Sequence, residues 1–549
     1  MAMWKKCVLG VLALAYAISL GTLAVPFATT DGLFVSPDEH ATWTFAERIA
    51  ETGRAQVREG RNEVLRGLLH PRSTVTIGSS IVPAGFLGMP YLTGLLFLVS
   101  PFLAASIGPL FALGGLFALY RIMRLGGASK EWSAMTVAVL AIHPAWWYYG
   151  IRSLMPNVPF VALVLCAIWG ALYARQEKKA PRRLGVFFLS GALFALGIMI
   201  RPSEILWIAG IFLAGILFFK HIFSYPKEIG VWIAGAVGIG GVALLLNSAV
   251  YGHPLTTGYT VDQAVWEVGS ASVSAQEIPW YTKISAFLFP FGFYEYATLR
   301  NAWQYSVELY PWMTVIGVWG MALCLTVHRK KWIREKRKIL AIAIAATALL
   351  YLVILYGSWT FFDNPDPSVI SIGNSHVRYW LPLFVLLAPT TAYALLYIRD
   401  RIYTWAQNER TQRLAGMLPM TLLLLMGACS AQVVFAGDDG ALYTREALLT
   451  FQEKREKVLE ATPDNAIIIV DRADKYLWPH RAVVLPLRSE QTYAAIPSLL
   501  EAAPLYYFSI TLPEEDLRYL HEQILAGKGI VFTPMLTINE ETLYEITRK

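Results

Sequence analysis

The stretch Ser36-Pro37-Asp38-Glu39-His40 sets two adjacent carboxylates and an imidazole about ten residues beyond the first apolar run of the chain. A carboxylate there could act as a general base, provided it reaches the proton of an attacking hydroxyl or amine. Partial burial near a membrane interface, or the like charge of its neighbour, would raise its basicity. Cations stand at Arg152, Arg201 and Arg378, each next to the end of an apolar run. A guanidinium in such a place either neutralises a phosphate or snorkels to the headgroups. Tyr148, Tyr149, Tyr259 and Tyr379 lie close by in sequence, and their hydroxyls could bond sugar or phosphate, or their rings could form an aromatic belt. His40 and His376 are read as interfacial hydrogen-bonding groups of a substrate site rather than metal ligands.

Local helix chemistry accounts for part of the opening stretch. Ser36 at the cap, Pro37 at the first helical position and Glu39 three residues after the serine form a capping box, with acids at the positive helix end. That cap has no need of Asp38. Asp38 is therefore the main catalytic candidate, with Glu39 in support.

The elements that must position these residues follow from composition. Of 549 residues, 56% are hydrophobic and 15% charged, against about 25% charged in soluble domains. Apolar runs of roughly 18 or more residues recur over the first four fifths of the chain, each able to cross a hydrocarbon core. The formal charge of +7 comes from Lys and Arg bunched between these runs, which reads as a topology signal and excludes a nucleic-acid partner. Lys5 and Lys6, followed by an apolar run to Phe27 with no clean cleavage site, read as an uncleaved first span. Cys7, Cys166, Cys324 and Cys429 all fall in apolar runs and make no disulfide framework or CxxC metal site.

With Lys5 and Lys6 inside, the first external loop is 29–80, and its helix from Glu39 to Glu51 is expected to lie amphipathically at the interface. Residues 81–123 fit one span plus a re-entrant helix, or two spans; the basic groups downstream fall inside only with one net crossing. Further spans are expected near 132–150, 156–174, 184–201, 203–220, 229–249, 308–327, 339–358, 378–398 and 414–435, about 11 to 13 in all. Residues 1–435 then form a polytopic α-helical membrane domain, with a second large external loop at 250–307. Residues 436–549 alternate helical segments at 441–461, 490–502 and 513–526 with β-like runs at 466–470, 482–487, 505–510 and 530–533. That alternation predicts an extracytoplasmic α/β domain with a mostly parallel sheet, serving to dock or stabilise.

The ordered motifs S-P-D-E-H at 36–40, H-P-A-W-W-Y-Y-G-I-R-S-L-M-P-N-V-P at 143–159, I-R-P at 200–202, N-S-A-V-Y-G-H-P-L-T-T-G-Y at 247–259, F-P-F-G-F at 289–293 and H-V-R-Y-W-L-P at 376–382 resemble the membrane glycosyltransferases of the C superfold. These include protein O-mannosyltransferases and lipid A aminoarabinose transferases. The resemblance covers roughly residues 5–400. It implies transfer of a sugar from a polyprenyl phosphate to a glycan, lipid or protein acceptor outside the membrane, with inversion and with Asp38 as base. Arg201, Arg378 and Arg152 would then face the donor phosphate. Many relatives carry an acid where this chain has Asn157, and an amide can neither act as a base nor ligate a metal as a charged group. Asn157 is accordingly read as a sugar or acceptor contact, and the expectation is an enzyme without cofactor. Convergence of Asp38, Glu39, Asp363 and Asp366 on Mg²⁺ or Mn²⁺ is the less favoured arrangement. Rival readings are a transporter or flippase of lipid-linked sugars, disfavoured because the spans are nearly free of acids, and a non-catalytic homologue. The expected location is the plasma membrane.

Overall fold

The structure, a computed structural model, describes residues 32–152, 154–219, 225–261, 287–327, 335–361 and 368–549, with positions 14, 15, 18, 19, 284, 285, 329, 363 and 366. The chain is an integral membrane protein. It divides into one unit of residues 1–24, 106–242 and 272–443, and another of 25–105, 243–271 and 444–549.

Most of the membrane-spanning residues belong to the first unit. Among the described residues seven helices are long and apolar enough to span, namely Ile107–Leu125, Asn157–Ala174, Ala180–Ile200, Pro226–Tyr251, Lys336–Gly357, Leu381–Trp405 and the run beginning at Glu409. The bent pair Glu295–Glu308 and Pro311–Val327, which turns by 102°, makes up to eight. Three of the expected spans stand outside this count. The span at 5–28 lies almost wholly outside the described residues, and that at 203–220 is a helix of 14 residues, Ile205–Phe218. The span at 132–150 is broken into Lys130–Ala141 and Pro144–Ile151, because Pro144 forces His143 out of helical geometry, to φ −64° and ψ 125°. His143 caps the second piece by accepting from the Ala145 amide at 3.3 Å. Within 81–123 one helix reaches spanning length, preceded by the short helices Gly88–Phe97 and Pro101–Ala105.

Asn157–Ala174 is the most enclosed of these helices and packs against Ile107–Leu125 and Ala180–Ile200. Lipid supplies no hydrophobic drive between helices, so close approach depends on small residues. Ala180–Ile200 crosses Pro226–Tyr251 through a reciprocal pair: a Cβ on Gly191 would fall 1.9 Å from the Trp232 carbonyl oxygen, and one on Gly235 would fall 2.1 Å from that of Phe188.

The second unit holds two sheets. Val57–Arg58, Ser80–Pro83 and Thr74–Ile77 form a small antiparallel sheet around a hairpin turned at Gly78 (φ +59°), within the first external loop expected from the sequence. The larger sheet has the order Ala482–Val484, Ile467–Val470, Leu505–Ile510, Glu541–Arg548, Ile530–Ile538. Its first three strands are parallel and its last two pairings antiparallel, so the expected mostly parallel sheet is corrected to a mixed one. The unforeseen strand Glu541–Arg548 pairs on both sides, and the turn before it uses Asn539 at φ +55°.

The helix Pro37–Thr52 does not present one greasy face to an interface as expected. It is buried among protein side chains on several sides. Ala41 and Phe45 share a core with Ile468, Val470, Phe508 and Leu543 of the larger sheet, while Ile49 packs with Val75 and Val82 of the hairpin. The C-terminal segment thus shares a hydrophobic core with the first loop rather than standing as a body of its own.

Candidate active site

In the second unit, Ser36 caps the helix in extended geometry, φ −89° and ψ 136°, and its Oγ accepts from the amide of Asp38 at 3.3 Å. Pro37 needs no amide partner at the first helical position. Asp38 is exposed on the first turn, so the chain does not itself supply the partial burial expected there. Its Oδ1 accepts a hydrogen bond of 2.5 Å from Ser73 Oγ. Glu39 is turned inward and buried. Two carboxylates that look equivalent in sequence are therefore separated by the helix, one facing out and one facing in.

Tyr259 is exposed and sits edge-on to Phe86, 5.1 Å between centroids. Its segment leans on the hairpin: the Tyr251 hydroxyl donates to the Pro83 carbonyl at 2.9 Å, and a Cβ on Gly258 would fall 2.3 Å from the Ala84 carbonyl. The Ala84 amide in turn donates to the Ser73 carbonyl at 3.0 Å. Asp38 and the Tyr259 segment are thus both anchored to the same end of the hairpin.

His40 is corrected from substrate contact to internal brace. It is buried, with Nε2 2.7 Å from the Trp478 carbonyl and Nδ1 3.3 Å from that of Gly32. The shorter contact assigns the proton to Nε2. Burial lowers the His40 pKa, against the pull of both carbonyls.

In the first unit, Arg201 closes Ala180–Ile200 and is not an open phosphate ligand. Its Nε and Nη2 donate to Glu204 Oε1 at 2.8 and 2.6 Å, with both side chains buried. Tyr356 donates to the same oxygen at 2.5 Å, and Trp207 donates to Oε2. Glu204 and Tyr356 were missed from sequence, although Glu204 follows Arg201 at the i,i+3 spacing that brings side chains together. Tyr379 gathers the cations: Arg201 lies 4.6 Å and Arg378 5.2 Å from its ring centre, and Tyr356 stacks on it at 4.3 Å.

Arg378 donates to Ser375 Oγ at 2.8 Å and reaches the Met155 thioether at 2.9 Å. Arg152 donates to the Tyr148 hydroxyl at 2.9 Å. Both guanidiniums lie within electrostatic reach of Tyr149. Tyr148 and Tyr149 themselves are corrected to structural roles, since both are fully buried and their hydroxyls point at carbonyls. Tyr148 donates to Asp439 O at 2.7 Å, and the Tyr149 hydroxyl sits 3.0–3.2 Å from the carbonyls of Ile372, Gly373 and Asn374. Tyr149 thereby pins the turn that leads into the helix carrying Arg378. Asn157 is buried at the head of its helix, and its Oδ1 has no hydrogen-bond partner among the described residues.

His376 is likewise internal, with Nδ1 2.8 Å from Asn374 Oδ1, Nε2 3.2 Å from the Trp359 carbonyl, and its ring stacked on Tyr305. Burial pushes its pKa down to about 4, opposed by hydrogen bonds to backbone carbonyls. A folded state that holds this imidazole neutral binds fewer protons than the unfolded chain between the ordinary value of 6.5 and about 4, so stability falls as pH drops through that window, by up to about 3 kcal/mol. The melting temperature in detergent should therefore decrease from pH 7 to pH 5, and His376→Gln should flatten the slope. A parent protein whose melting temperature is level across that range would contradict this placement.

Asp363 accepts from the Ser375 amide at 2.7 Å and Asp366 from Ser368 Oγ at 2.7 Å. Among the described residues no group of three His, Cys, Asp or Glu side chains is arranged to hold a metal.

This arrangement of apolar helices with an α/β segment is similar in fold to solved structures of the membrane transferase ArnT. The solved structures that it resembles include ArnT from Cupriavidus metallidurans bound to undecaprenyl phosphate, with a TM-score of 0.52 and 12% identity over 99% of this chain and 98% of that one. The apo state of the same protein aligns at 0.52 and 11%, over 99% and 98%. The apo oligosaccharyltransferase of Archaeoglobus fulgidus aligns at 0.48 and 12%, over 99% and 74%. No protein-family model and no curated protein matches the chain.

Proposed function

We propose that the protein transfers a sugar from a polyprenyl-phosphate donor to a hydroxyl or amine acceptor on the extracytoplasmic face of the plasma membrane. Asp38 is the general base, and the reaction inverts the anomeric centre. The observation that carries this reading is the outward-facing Asp38 carboxylate, anchored by Ser73 at the first turn of a buried, capped helix. A base so held removes the acceptor's proton as the new bond to the anomeric carbon forms, while the bond to the lipid phosphate breaks.

Leaving-group charge needs fixed donors. Arg378 and Arg152, whose guanidiniums both lie within electrostatic reach of Tyr149, are assigned that role, and the Asn157 oxygen suits a sugar hydroxyl. Arg201, paired with Glu204, serves instead to hold Tyr379. Glu39, buried beneath Asp38, is a supporting group. The reaction is read as independent of a metal, with lipid phosphate and acceptor as the partners besides the bilayer. The fold shared with an ArnT structure that holds undecaprenyl phosphate supports a lipid-phosphate donor.

Purified protein in lipid nanodiscs, given undecaprenyl phosphate carrying a radiolabelled sugar, should release undecaprenyl phosphate in proportion to added cell-envelope acceptor. Failure across a panel of such sugars would overturn the reading. Sidedness has its own check. Asn465→Cys, at an exposed turn of the second unit, should react with a membrane-impermeant maleimide on intact cells. Reaction only after lysis would invert the topology.

A further inference from the structure

The Asp38 carboxylate is held by a turn that the rest of the chain has to hold in its own right. Ser73, which donates to Asp38, sits at φ +60°, a left-handed conformation that a non-glycine residue rarely adopts. Thr74 Oγ1 donates to the Pro71 carbonyl at 2.7 Å, which closes the turn locally. The stronger restraint comes from 402 residues away. Asp474, whose side chain is fully buried, accepts from the Arg72 amide at 2.9 Å, from Arg72 Nε at 3.1 Å and from Nη2 at 2.6 Å. Arg72 Nη2 also donates to the Arg472 carbonyl at 3.1 Å.

A carboxylate that takes both the backbone amide and the guanidinium fork of one residue fixes where that residue is and which way the next one points. The next residue is Ser73. Four residues on from Asp474, the Trp478 carbonyl accepts from His40 Nε2 at 2.7 Å, and the Trp478 ring lies 6.0 Å from that of Phe45. Residues 474–478 thus grip both supports of Asp38, the helix that carries it and the turn that holds its oxygen.

We propose that Asp474 is a positioning residue for Asp38, fixing the Arg72–Ser73 turn whose hydroxyl orients the carboxylate. The inference rests on the reading of Asp38 as base. It gives the C-terminal segment a part in the chemistry beyond docking.

The test uses full-length protein in nanodiscs and radiolabelled undecaprenyl-phosphate sugar. Asp474→Asn keeps the shape but weakens the grip on Arg72, and Ser73→Gly removes the hydroxyl while suiting the positive φ. Each is expected to lower kcat on the order of tenfold to a hundredfold with the donor KM unchanged, as misplacement of a reacting group does. Because the two act in series, the double variant should be no slower than the slower single one. A kcat at the wild-type level in Asp474→Asn, or losses that multiply in the double variant, would overturn the proposal. If Asp474→Asn cannot be recovered folded, Arg72→Lys decides: it retains a cation for Asp474 but loses the fork, and a wild-type kcat there would equally overturn it. The reading of Asp38 fails separately, through an Asp38→Asn variant that stays active.

Discussion

Asp38→Asn should lower sugar transfer by about 10²- to 10⁴-fold, the span that a positioned general base contributes. The amide still accepts from Ser73 Oγ, and the cap is undisturbed because Ser36 bonds the backbone amide of residue 38 and not its side chain. Asp38 is exposed, so the exchange leaves no buried group unpaired. Expression and melting temperature should therefore match the wild type, and the loss should appear in kcat. Glu39→Gln is the informative comparison. That side chain faces inward, so its effect should fall on stability first.

Glu204→Ala should destabilise the protein by about 3–5 kcal/mol, the usual result of stripping one partner from a buried ion pair. The carboxylate receives four donors: Arg201 Nε and Nη2, Tyr356 and Trp207. Its loss leaves a buried guanidinium without its counter-charge, and a charge in that state costs far more than the pair contributes. Tyr379 should lose its footing in the same step, since it stacks on Tyr356 and lies over Arg201. Glu204→Gln, which keeps an acceptor without the charge, should fall between. Thermal unfolding in detergent reads the difference. A Glu204→Ala variant that melts with the wild type would show that the cluster is not the brace described.

What sequence could reveal follows from how local each cause is. Asp38 stood out because a capping box is a four-residue device that does not need it. The break at His143 is written in the proline that follows it, and the membrane class is written in run length. The hairpin at 74–83 was also legible, in a β-branched alternation interrupted by Gly78, and so was the final strand, in the alternating Thr542-Leu543-Tyr544-Glu545-Ile546. The hairpin sits inside a long connection between apolar runs and the final strand follows another strand, so neither belongs to a helix–strand alternation.

The candidate site was legible by position but less so by role. His40, Tyr148, Tyr149 and His376 carry groups suited to sugar recognition, yet each has a backbone carbonyl between 17 and 438 positions away within hydrogen-bond distance of one of them. No local signal distinguishes a hydroxyl facing a ligand from one facing a distant carbonyl. Arg201 was different, since its partner is three residues on. Asp474 had no local signal at all, because its work is done on Arg72.

The measurement that bears most directly on Asp38 as the base of a lipid-phosphate glycosyltransferase sets wild type beside Asp38→Asn in proteoliposomes. Both receive radiolabelled undecaprenyl-phosphate sugar and acceptor membranes, and the label is counted in lipid and in product. The expected result is movement of label from lipid to product by the wild type, and none above background by an equally folded Asp38→Asn. Equal transfer by the two, or label that crosses the bilayer still attached to its lipid, would contradict the account.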